Sequence, residues 1–265
     1  MGPARLLAAR HLTAERVWYS YVPTALAIGL IGLVAAQIKW SFVETLDFAA
    51  LWKYRIALWQ GVLNTLILTG LSVSIGTAGG TLLAMGLYVP LRPFRWLIAG
   101  YIEIFRNTPL VLQLFWIHFA IPKATGISTT PFQSGVIAIA LQSSAYLADV
   151  ARAGIQAVPA GQWEAADALG LSTRNKWLDV VLPQALKIVI PPLANIAVGY
   201  FKASAALALL SVGELMTVTS RIAQYSFKPI EAYTLAGLIY LVLGAILSNL
   251  TFRLERAYRT PGARP

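Results

Sequence analysis

The sequence contains no cysteine and only two histidines. Without cysteine the chain has no disulfide, no thiolate metal site and no cysteine nucleophile. The histidines, His11 and His118, lie in dissimilar surroundings, and neither an HExxH nor a histidine-rich metal pattern occurs. No GxxxxGK[ST] motif is present to bind nucleotide phosphates. These absences argue against a metal enzyme and against an ATPase activity in this chain.

Charge is also scarce, since 12% of the 265 residues are charged and 57% are hydrophobic. About a quarter of the residues in a soluble domain are charged. Several stretches exceed the roughly 18 to 20 apolar residues that cross a bilayer as a helix, and no alternating strand pattern of a membrane barrel occurs. The positive residues behind the net charge of +10 flank these apolar stretches and do not form a basic stripe, so we predict no nucleic acid partner. The sequence therefore predicts an all-α polytopic protein in a lipid membrane.

Six apolar stretches predict six membrane-spanning helices. Their predicted bounds are residues 22–38, 61–89, 97–121, 132–158, 181–203 and 232–257. The first stretch is either a cleaved signal peptide or a retained anchor; its long polar leader and near-spanning length favour the anchor. We therefore divide the chain into an N-terminal part (1–60), a core bundle (61–257) and a short tail (258–265).

Positive charges predict the orientation of the bundle, because Lys and Arg collect in cytoplasmic segments. With the N-terminus inside, the outer loops hold fewer of them than the inner segments. The inner residues are Arg5, Arg10, Arg16, Arg92, Arg95, Arg152, Arg174, Lys176, Arg253, Arg256, Arg259 and Arg264, and the outer ones are Lys39, Lys53, Arg55, Lys123, Arg221 and Lys228. Both termini, and the polar segment 159–183, are therefore predicted to be cytoplasmic.

The segment 159–183 predicts a short amphipathic helix at the inner surface. Helix-forming residues run from 161 to 169, with Trp163, Ala166 and Leu169 on one face and two acidic residues on another. Acidic residues at an inner surface suit a protein partner better than anionic headgroups.

A tight turn and a second helix are predicted to follow. Gly170 can adopt the positive φ at which such a helix ends, and Ser172 can cap the next helix.

The spacing in this segment resembles the EAA loop of ATP-binding-cassette (ABC) importer permeases, EAA-x3-G-x9-I-x-LP, with Val180 in the isoleucine position. The resemblance implies that the loop docks into a groove on a separate cytoplasmic ABC ATPase dimer. The residues it assigns to coupling are Glu164, Ala165, Ala166, Asp167, Leu169, Gly170, Leu182 and Pro183.

The resemblance extends over most of residues 61–255. The stretches FRNTPLVLQLFW (105–116), YLADVARAGIQAVPAGQWEAADALGLS (146–172), LPQALKIVIPPLAN (182–195) and SVGEL (211–215) are similar to permeases for polar amino acids. This implies the type I ABC importer fold, with five core helices per subunit and the helix at 22–38 as an addition.

The resemblance also implies partners. They are the ATPase, which binds ATP and Mg so that this chain needs no cofactor; a second permease subunit, related or identical; an extracytoplasmic solute-binding protein; and an amino-acid substrate, all at a bacterial cytoplasmic membrane. The alternative is a self-sufficient secondary carrier or channel, although internal repeats typical of many carriers are not evident.

One stretch departs from the family pattern. Where the family commonly has Lys-Asp-Thr/Ser-Ser-Leu, this chain has Lys202-Ala203-Ser204-Ala205-Ala206. The missing acidic residue weakens any inference of the solute from the family.

Polar residues inside the predicted spans are candidates for a solute pathway, because they are costly in lipid. They form one stripe on each of three helices. The predicted pathway residues are Thr69, Ser72, Gln142, Tyr146, Asp149, Asn195 and Lys202. Interhelical hydrogen bonding is the alternative for each, and for Asp149 the alternative is a pair with Arg152.

Three further predictions concern structure. Glu103 and Arg106, three residues apart, are predicted to form an ion pair with a structural role at a gate. The Pro191-Pro192 pair is predicted to break the fifth helix. His118 and Glu214 receive no functional role.

Overall fold

The computed structural model describes residues 21–258 except 31, 34 and 38, and no strand occurs among them. The chain divides into two compact units, Met1–Asp47 and Phe48–Pro265. The described part of the first unit forms α1 (Tyr21–Gln37) and α2 (Trp40–Val43). The predicted leader and nearly all of the predicted tail lie outside the described residues.

The second unit begins with a 3₁₀ segment, Ala49–Tyr54, in which Leu51 is buried against the core. By contacts this segment belongs to the second unit; the division after residue 60 stays a prediction. It leads directly into α3 (Arg55–Gly86).

The other helices follow in chain order, joined by short turns and irregular segments. They are α4 (Arg92–Asn107), α5 (Leu110–Phe115), α6 (Ile121–Thr125), α7 (Pro131–Gln156), α8 (Ala160–Ala168), α9 (Thr173–Asn175), α10 (Leu182–Ala203), α11 (Leu215–Ser226) and α12 (Pro229–Tyr258). A π-helical segment, Trp116–Ala120, joins α5 to α6, and another, Lys176–Val181, leads into α10. A 3₁₀ segment, Ser204–Leu210, follows α10.

Four helical stretches in the described residues are long and apolar enough to cross a membrane. They are Ala49–Gly86, Pro131–Gln156, Thr173–Leu210 and Pro229–Tyr258. Two shorter apolar helices, Tyr21–Gln37 and Leu110–Thr125, fall where the first and third spans are predicted. The all-α prediction is therefore confirmed for the described part of the chain.

The predicted third span, a single helix over 97–121, is wrong. The chain leaves the helical conformation at Thr108, whose φ of −101° and ψ of 139° are extended, and α5 begins after Pro109. Proline has no backbone N–H and disfavours the helical region for the residue before it, which favours a break at this point.

The prediction that Pro191-Pro192 breaks the fifth helix is also wrong, because α10 runs continuously through both residues. Proline's φ near −65° is itself helical, so the pair removes hydrogen bonds without requiring a break. In contrast to Thr108, the residue before this pair keeps a helical conformation.

Helices α3 and α7 pack side by side through small residues. A Cβ atom added to Gly80 would lie 2.7 Å from the Cβ of Leu147 and 2.8 Å from the carbonyl oxygen of Ser144. A Cβ atom added to Gly76, one turn earlier, would likewise clash with the side chain of Ser143. Backbones approach this closely only where side chains are absent, so these glycines set the distance between the two helices.

Candidate functional site

Residues 159–183, which we call the coupling loop, fold as a compact unit between α7 and α10. The Trp163 and Trp177 rings meet edge to face with centroids 5.3 Å apart. They pack on a small apolar cluster that includes Val158 and Val181. Lys176 forms an ion pair with Asp167 across the turn. These contacts give the loop an interior of its own.

A side-chain bond ties the first helix of the coupling loop to α10. Nε2 of Gln184 donates a hydrogen bond to Oε1 of Gln162 at 3.0 Å. Because Gln184 lies in the first turn of α10, this bond links α8 to that helix.

The turn of the coupling loop has the predicted chemistry. Gly170 adopts a φ of +65°, and the Ser172 hydroxyl accepts a hydrogen bond from the backbone N–H of Asn175 at 3.3 Å. Both predictions are confirmed. The turn therefore depends on one glycine and one capping side chain.

The predicted coupling residues differ in exposure. Ala166 is 2% exposed and anchors α8, whereas Glu164, Ala165 and Gly170 are exposed. Leu169, predicted on the same face as Trp163 and Ala166 and among the coupling residues, is 77% exposed directly after the end of α8 at Ala168.

At the other end of the coupling loop, Leu182 is half-buried and Pro183 is exposed in the first turn of α10.

A second polar site surrounds the break between α4 and α5. Two glutamines bond to backbone carbonyls around the break. Nε2 of Gln142 donates to the Thr108 carbonyl at 3.0 Å, and Nε2 of Gln113 donates to the Phe105 carbonyl at 3.0 Å and to the Thr108 hydroxyl at 2.6 Å. Irregular backbone inside a membrane needs such partners.

The break lies near the middle of the predicted membrane. Gln142 is eleven residues into α7, or about 16 Å at 1.5 Å per residue, which is half of a 30 Å hydrocarbon core. Its Oε1 accepts a hydrogen bond from the Tyr200 hydroxyl of α10 at 3.2 Å. Gln142 thus joins three helical segments at one point.

An ion pair between Arg106 and Asp149 lies beside the break, with 36% and 35% of their side chains exposed. Tyr146 donates its hydroxyl to the Arg106 carbonyl at 3.2 Å, and the guanidinium lies 5.6 Å from its ring centroid. We call Arg106, Thr108, Gln113, Gln142, Tyr146, Asp149 and Tyr200 the helix-break cluster.

This ion pair corrects two predictions. Arg106 pairs with Asp149 and not with Glu103, whose carboxylate accepts a hydrogen bond from Nδ2 of Asn107 at 2.8 Å. Asp149 in turn pairs across helices and not with Arg152. Packing of α4 against α7 brings the two charges together, and spacing within one helix does not reveal such a contact.

The structure separates the predicted pathway residues into three places. Gln142, Tyr146 and Asp149 meet in the helix-break cluster. Thr69 and Ser72 are buried in the core unit on α3, where Ser72 bonds to the Leu68 carbonyl.

The remaining pathway residues, Asn195 and Lys202, are exposed on one face of α10. The aliphatic stem of Lys202 passes close to Gly244 of α12. In the single subunit they therefore lie apart from the helix-break cluster and from the buried pair on α3.

Glu214 is a buried residue that sequence reasoning missed. It is fully buried and accepts hydrogen bonds from the backbone N–H groups of Met216 and Thr217 at 2.8 and 2.6 Å and from the Tyr240 hydroxyl at 3.1 Å. Its position directly before an apolar helix indicates an N-cap, and that pattern was available in the sequence.

Glu214 stabilises an irregular turn inside the bundle. The Leu215 backbone N–H bonds to the Thr65 hydroxyl at 3.0 Å, and Asn64 donates to the Gly213 carbonyl at 2.7 Å. The turn between α10 and α11 is thereby held to α3.

His118 has a local partner, because its Nδ1 lies 2.9 Å from the Ser134 hydroxyl. Among the described residues, no group of three or more His, Cys, Asp or Glu side chains is arranged to hold a metal ion.

Comparison with known proteins gives a consistent family. Residues 76–260 match the family model "Binding-protein-dependent transport system inner membrane component". The chain is 34% identical over 215 residues to the arginine transport system permease protein ArtQ of Bacillus subtilis (strain 168), covering 81% of this chain and 98% of ArtQ. It is 35% identical to the probable glutamine ABC transporter permease protein GlnM of the same strain, covering 75% and 94%.

A solved structure agrees with these relatives. A crystal structure of an amino acid ABC transporter with histidines superposes with a TM-score of 0.77 at 35% identity, over 80% of this chain and 99% of that one. The fold is thus the type I ABC importer fold, and the chain belongs to the family of binding-protein-dependent transport system inner membrane components.

Proposed function

We propose that this chain is the permease subunit of an ATP-driven importer of polar amino acids, coupled to a separate ATPase through residues 159–183. The coupling loop carries the proposal. It is a folded unit that exposes Glu164 and Leu169 while Gln162 bonds to the first turn of α10. A loop that only rested on headgroups would need neither an exposed acid nor a hydrogen bond to a spanning helix.

The substrate class rests on the relatives. Permeases named for arginine and for glutamine match most of this chain, and so does an amino acid ABC transporter structure. A self-sufficient secondary carrier gains no support from them. The individual amino acid differs among these relatives, so the proposal extends to the polar amino acids as a class.

The ATPase is proposed to bind ATP and Mg and to grip the coupling loop from the cytoplasm. Glu164 is the charge offered to it, and Leu169 is the apolar side chain that would enter its groove. Asp167 is committed within the loop to Lys176, so its proposed role is to hold the turn in shape.

The helix-break cluster is proposed to line the solute pathway. Its ion pair is about one-third exposed in the single subunit, and its tyrosine and amide groups suit the ammonium and carboxylate of an amino acid. The exposed polar face of α10, with Asn195 and Lys202, is proposed to meet the same pathway when a second permease subunit completes it.

The orientation is proposed from the charges, with both termini in the cytoplasm of a bacterial cell and the coupling loop on the same side. The tip between α11 and α12 then faces outward, toward an extracytoplasmic solute-binding protein.

The proposal is tested by transport in proteoliposomes that contain this chain, its second permease subunit and the ATPase. Uptake of acidic, basic, neutral and amide amino acids is measured with the binding protein outside and ATP inside. ATP-dependent uptake of at least one of them is expected. Uptake that needs no ATPase would support the secondary carrier instead.

A further inference from the structure

An apolar groove with a volume of about 560 Å³ lies in the second unit. One of its walls is α3 from Arg55 to Val62, and the other is α12 from Leu235 to Leu243. The lining residues recur three or four positions apart on each helix, so each helix contributes one continuous face. We call this the α3–α12 groove.

The α3–α12 groove has a closed floor and an open side. Leu58 and Val62 are buried in the same apolar cluster as Ile222 of α11, and this cluster closes the floor. Leu238 and Val242 are each more than half exposed along the open side. The groove therefore has the form of an apolar trough that is accessible from the surface of the single subunit.

The charge pattern places the trough in the hydrocarbon of one leaflet. No charged residue occurs from 56 to 91 or from 232 to 251, so Arg55 lies at the boundary of the first apolar stretch. The α12 wall rises about 12 Å from Leu235 to Leu243, at 1.5 Å per residue. This length is close to half of a hydrocarbon core about 30 Å thick.

A single cation lines the α3–α12 groove, since Arg55 alone among the lining residues is charged. Its Nη1 donates to the Trp52 carbonyl at 3.2 Å, and its guanidinium lies 5.2 Å from the centroid of the Trp52 ring. These contacts hold the guanidinium beside the groove and use one of its five N–H groups. A planar guanidinium of this kind binds a phosphate through two parallel hydrogen bonds.

We propose that the α3–α12 groove binds an anionic phospholipid, with the phosphate on Arg55 and one acyl chain in the trough. A phospholipid carries its charge and its apolar chain in the same order as the groove does. Trp52 and Trp59 are exposed at the headgroup end, where tryptophan is enriched in membrane proteins. The polar face proposed to meet a second permease subunit is on α10, and no residue of α10 lines the groove.

The test titrates lipid onto the delipidated complete transporter, with its second permease subunit and ATPase, and counts bound lipids by native mass spectrometry. The two probes are phosphatidylglycerol and phosphatidylcholine with identical oleoyl chains. Phosphatidylglycerol is expected to bind about tenfold more tightly, because the ammonium group of phosphatidylcholine offsets its phosphate charge. Arg55→Gln should remove this preference. Lys53→Gln is the matched control, since it removes the same charge from a neighbouring side chain that does not line the groove.

A second pair of variants tests the acyl chain. Leu238→Trp places a larger ring in the trough and should weaken binding of both lipids about fivefold, because the chain loses its apolar contacts. Leu241→Trp makes the same change on α12, at an exposed position outside the groove, and should leave both affinities unchanged. Both leucines are more than half exposed, so thermal unfolding of the lipid-free variants should match that of the wild type.

Three results would overturn the lipid site. Equal phosphatidylglycerol affinity in Arg55→Gln and Lys53→Gln would show that the guanidinium does not bind the phosphate. Equal affinities in Leu238→Trp and Leu241→Trp would show that the acyl chain lies elsewhere. A wild-type transporter that retains neither lipid would show that another helix covers the groove. None of these results bears on the proposed function, because lipid binding is measured without transport.

Discussion

The coupling loop and the helix-break cluster are both polar sites in an apolar chain, but their contacts differ in range. In the loop, Lys176 pairs with Asp167 nine residues away. In the cluster, Gln142 bonds to Thr108 across 34 residues and to Tyr200 across 58. One site is therefore built from neighbouring residues, while the other exists only when distant helices pack.

Exposure differs in the same way. The loop turns Glu164 and Leu169 outward, and its internal contacts hold them there. The cluster directs Gln142 and Gln113 inward, onto backbone carbonyls around a break in the chain. Substitutions of outward side chains in the loop should thus change coupling without changing stability, whereas substitutions in the cluster should change both.

The largest effect is expected for Glu164→Lys. The substitution places a positive charge against an ATPase surface that is proposed to bind a carboxylate. Like charges brought together at an interface cost several kcal/mol. We expect ATPase binding, measured by co-purification and by solute-stimulated hydrolysis, to fall on the order of a hundredfold while the thermal stability of the permease stays unchanged. Glu255→Lys, at another exposed position on the side predicted to be cytoplasmic, is the matched control. Full coupling in Glu164→Lys would remove Glu164 from the docking surface.

The next effect is expected for Gln142→Leu, which tests the inward-facing site. The change removes a donor to the Thr108 carbonyl and an acceptor for Tyr200. Interhelical hydrogen bonds in membranes contribute about 0.6 kcal/mol on average, so we expect about 1–2 kcal/mol of destabilisation, measured by unfolding in mixed micelles. Transport should fall while ATPase docking is retained. Gln156→Leu, exposed at the end of the same helix, serves as the comparison.

A smaller effect is expected for the Arg106–Asp149 pair. Because about one-third of each side chain is exposed, solvent screens the pair, and a coupling energy of about 1 kcal/mol is expected. The measurement is a double-mutant cycle of Arg106→Gln, Asp149→Asn and the double variant, followed by unfolding. Strictly additive single effects would show that the pair contributes no coupling. Glu103→Gln, which lies outside the pair, should show no coupling to Asp149→Asn.

The smallest effect is expected for Gly170→Ala. No atom lies within 4 Å of a Cβ added here, so only the φ of +65° opposes the side chain. The strain, about 1 kcal/mol, falls on an exposed turn, and we expect roughly a twofold loss of ATP-driven uptake. Gly161→Ala, in α8 with equally open space, should have no such effect. Equal uptake in both variants would indicate that coupling does not depend on glycine at position 170.

The difference in contact range explains which features could be predicted from the sequence and which could not. Gly170 and Ser172 act within their own turn, so residue type and spacing were sufficient to predict them. The predicted Glu103–Arg106 pair followed a sound local rule, but α7 supplied a closer competitor from another helix.

The two proline sites show a second limit. Thr108-Pro109 breaks a helix, whereas α10 continues through Pro191-Pro192. Proline disfavours helical geometry in both places. Packing decides whether the helix breaks there or continues with lost backbone hydrogen bonds. At Thr108 two glutamines are present to bond the chain around the break.

The sequence by itself determined the membrane class, most of the long helices and the turn of the coupling loop, because apolar length, helix periodicity and turn chemistry act among near neighbours. It also carried the resemblance that led to the family. Only the tertiary structure decided which polar residues meet: Arg106 with Asp149, Gln142 with Thr108 and Tyr200, and Glu214 with Tyr240. These contacts join different helices, and the energy that selects them arises from packing and from burying polar groups with partners, which no local pattern records.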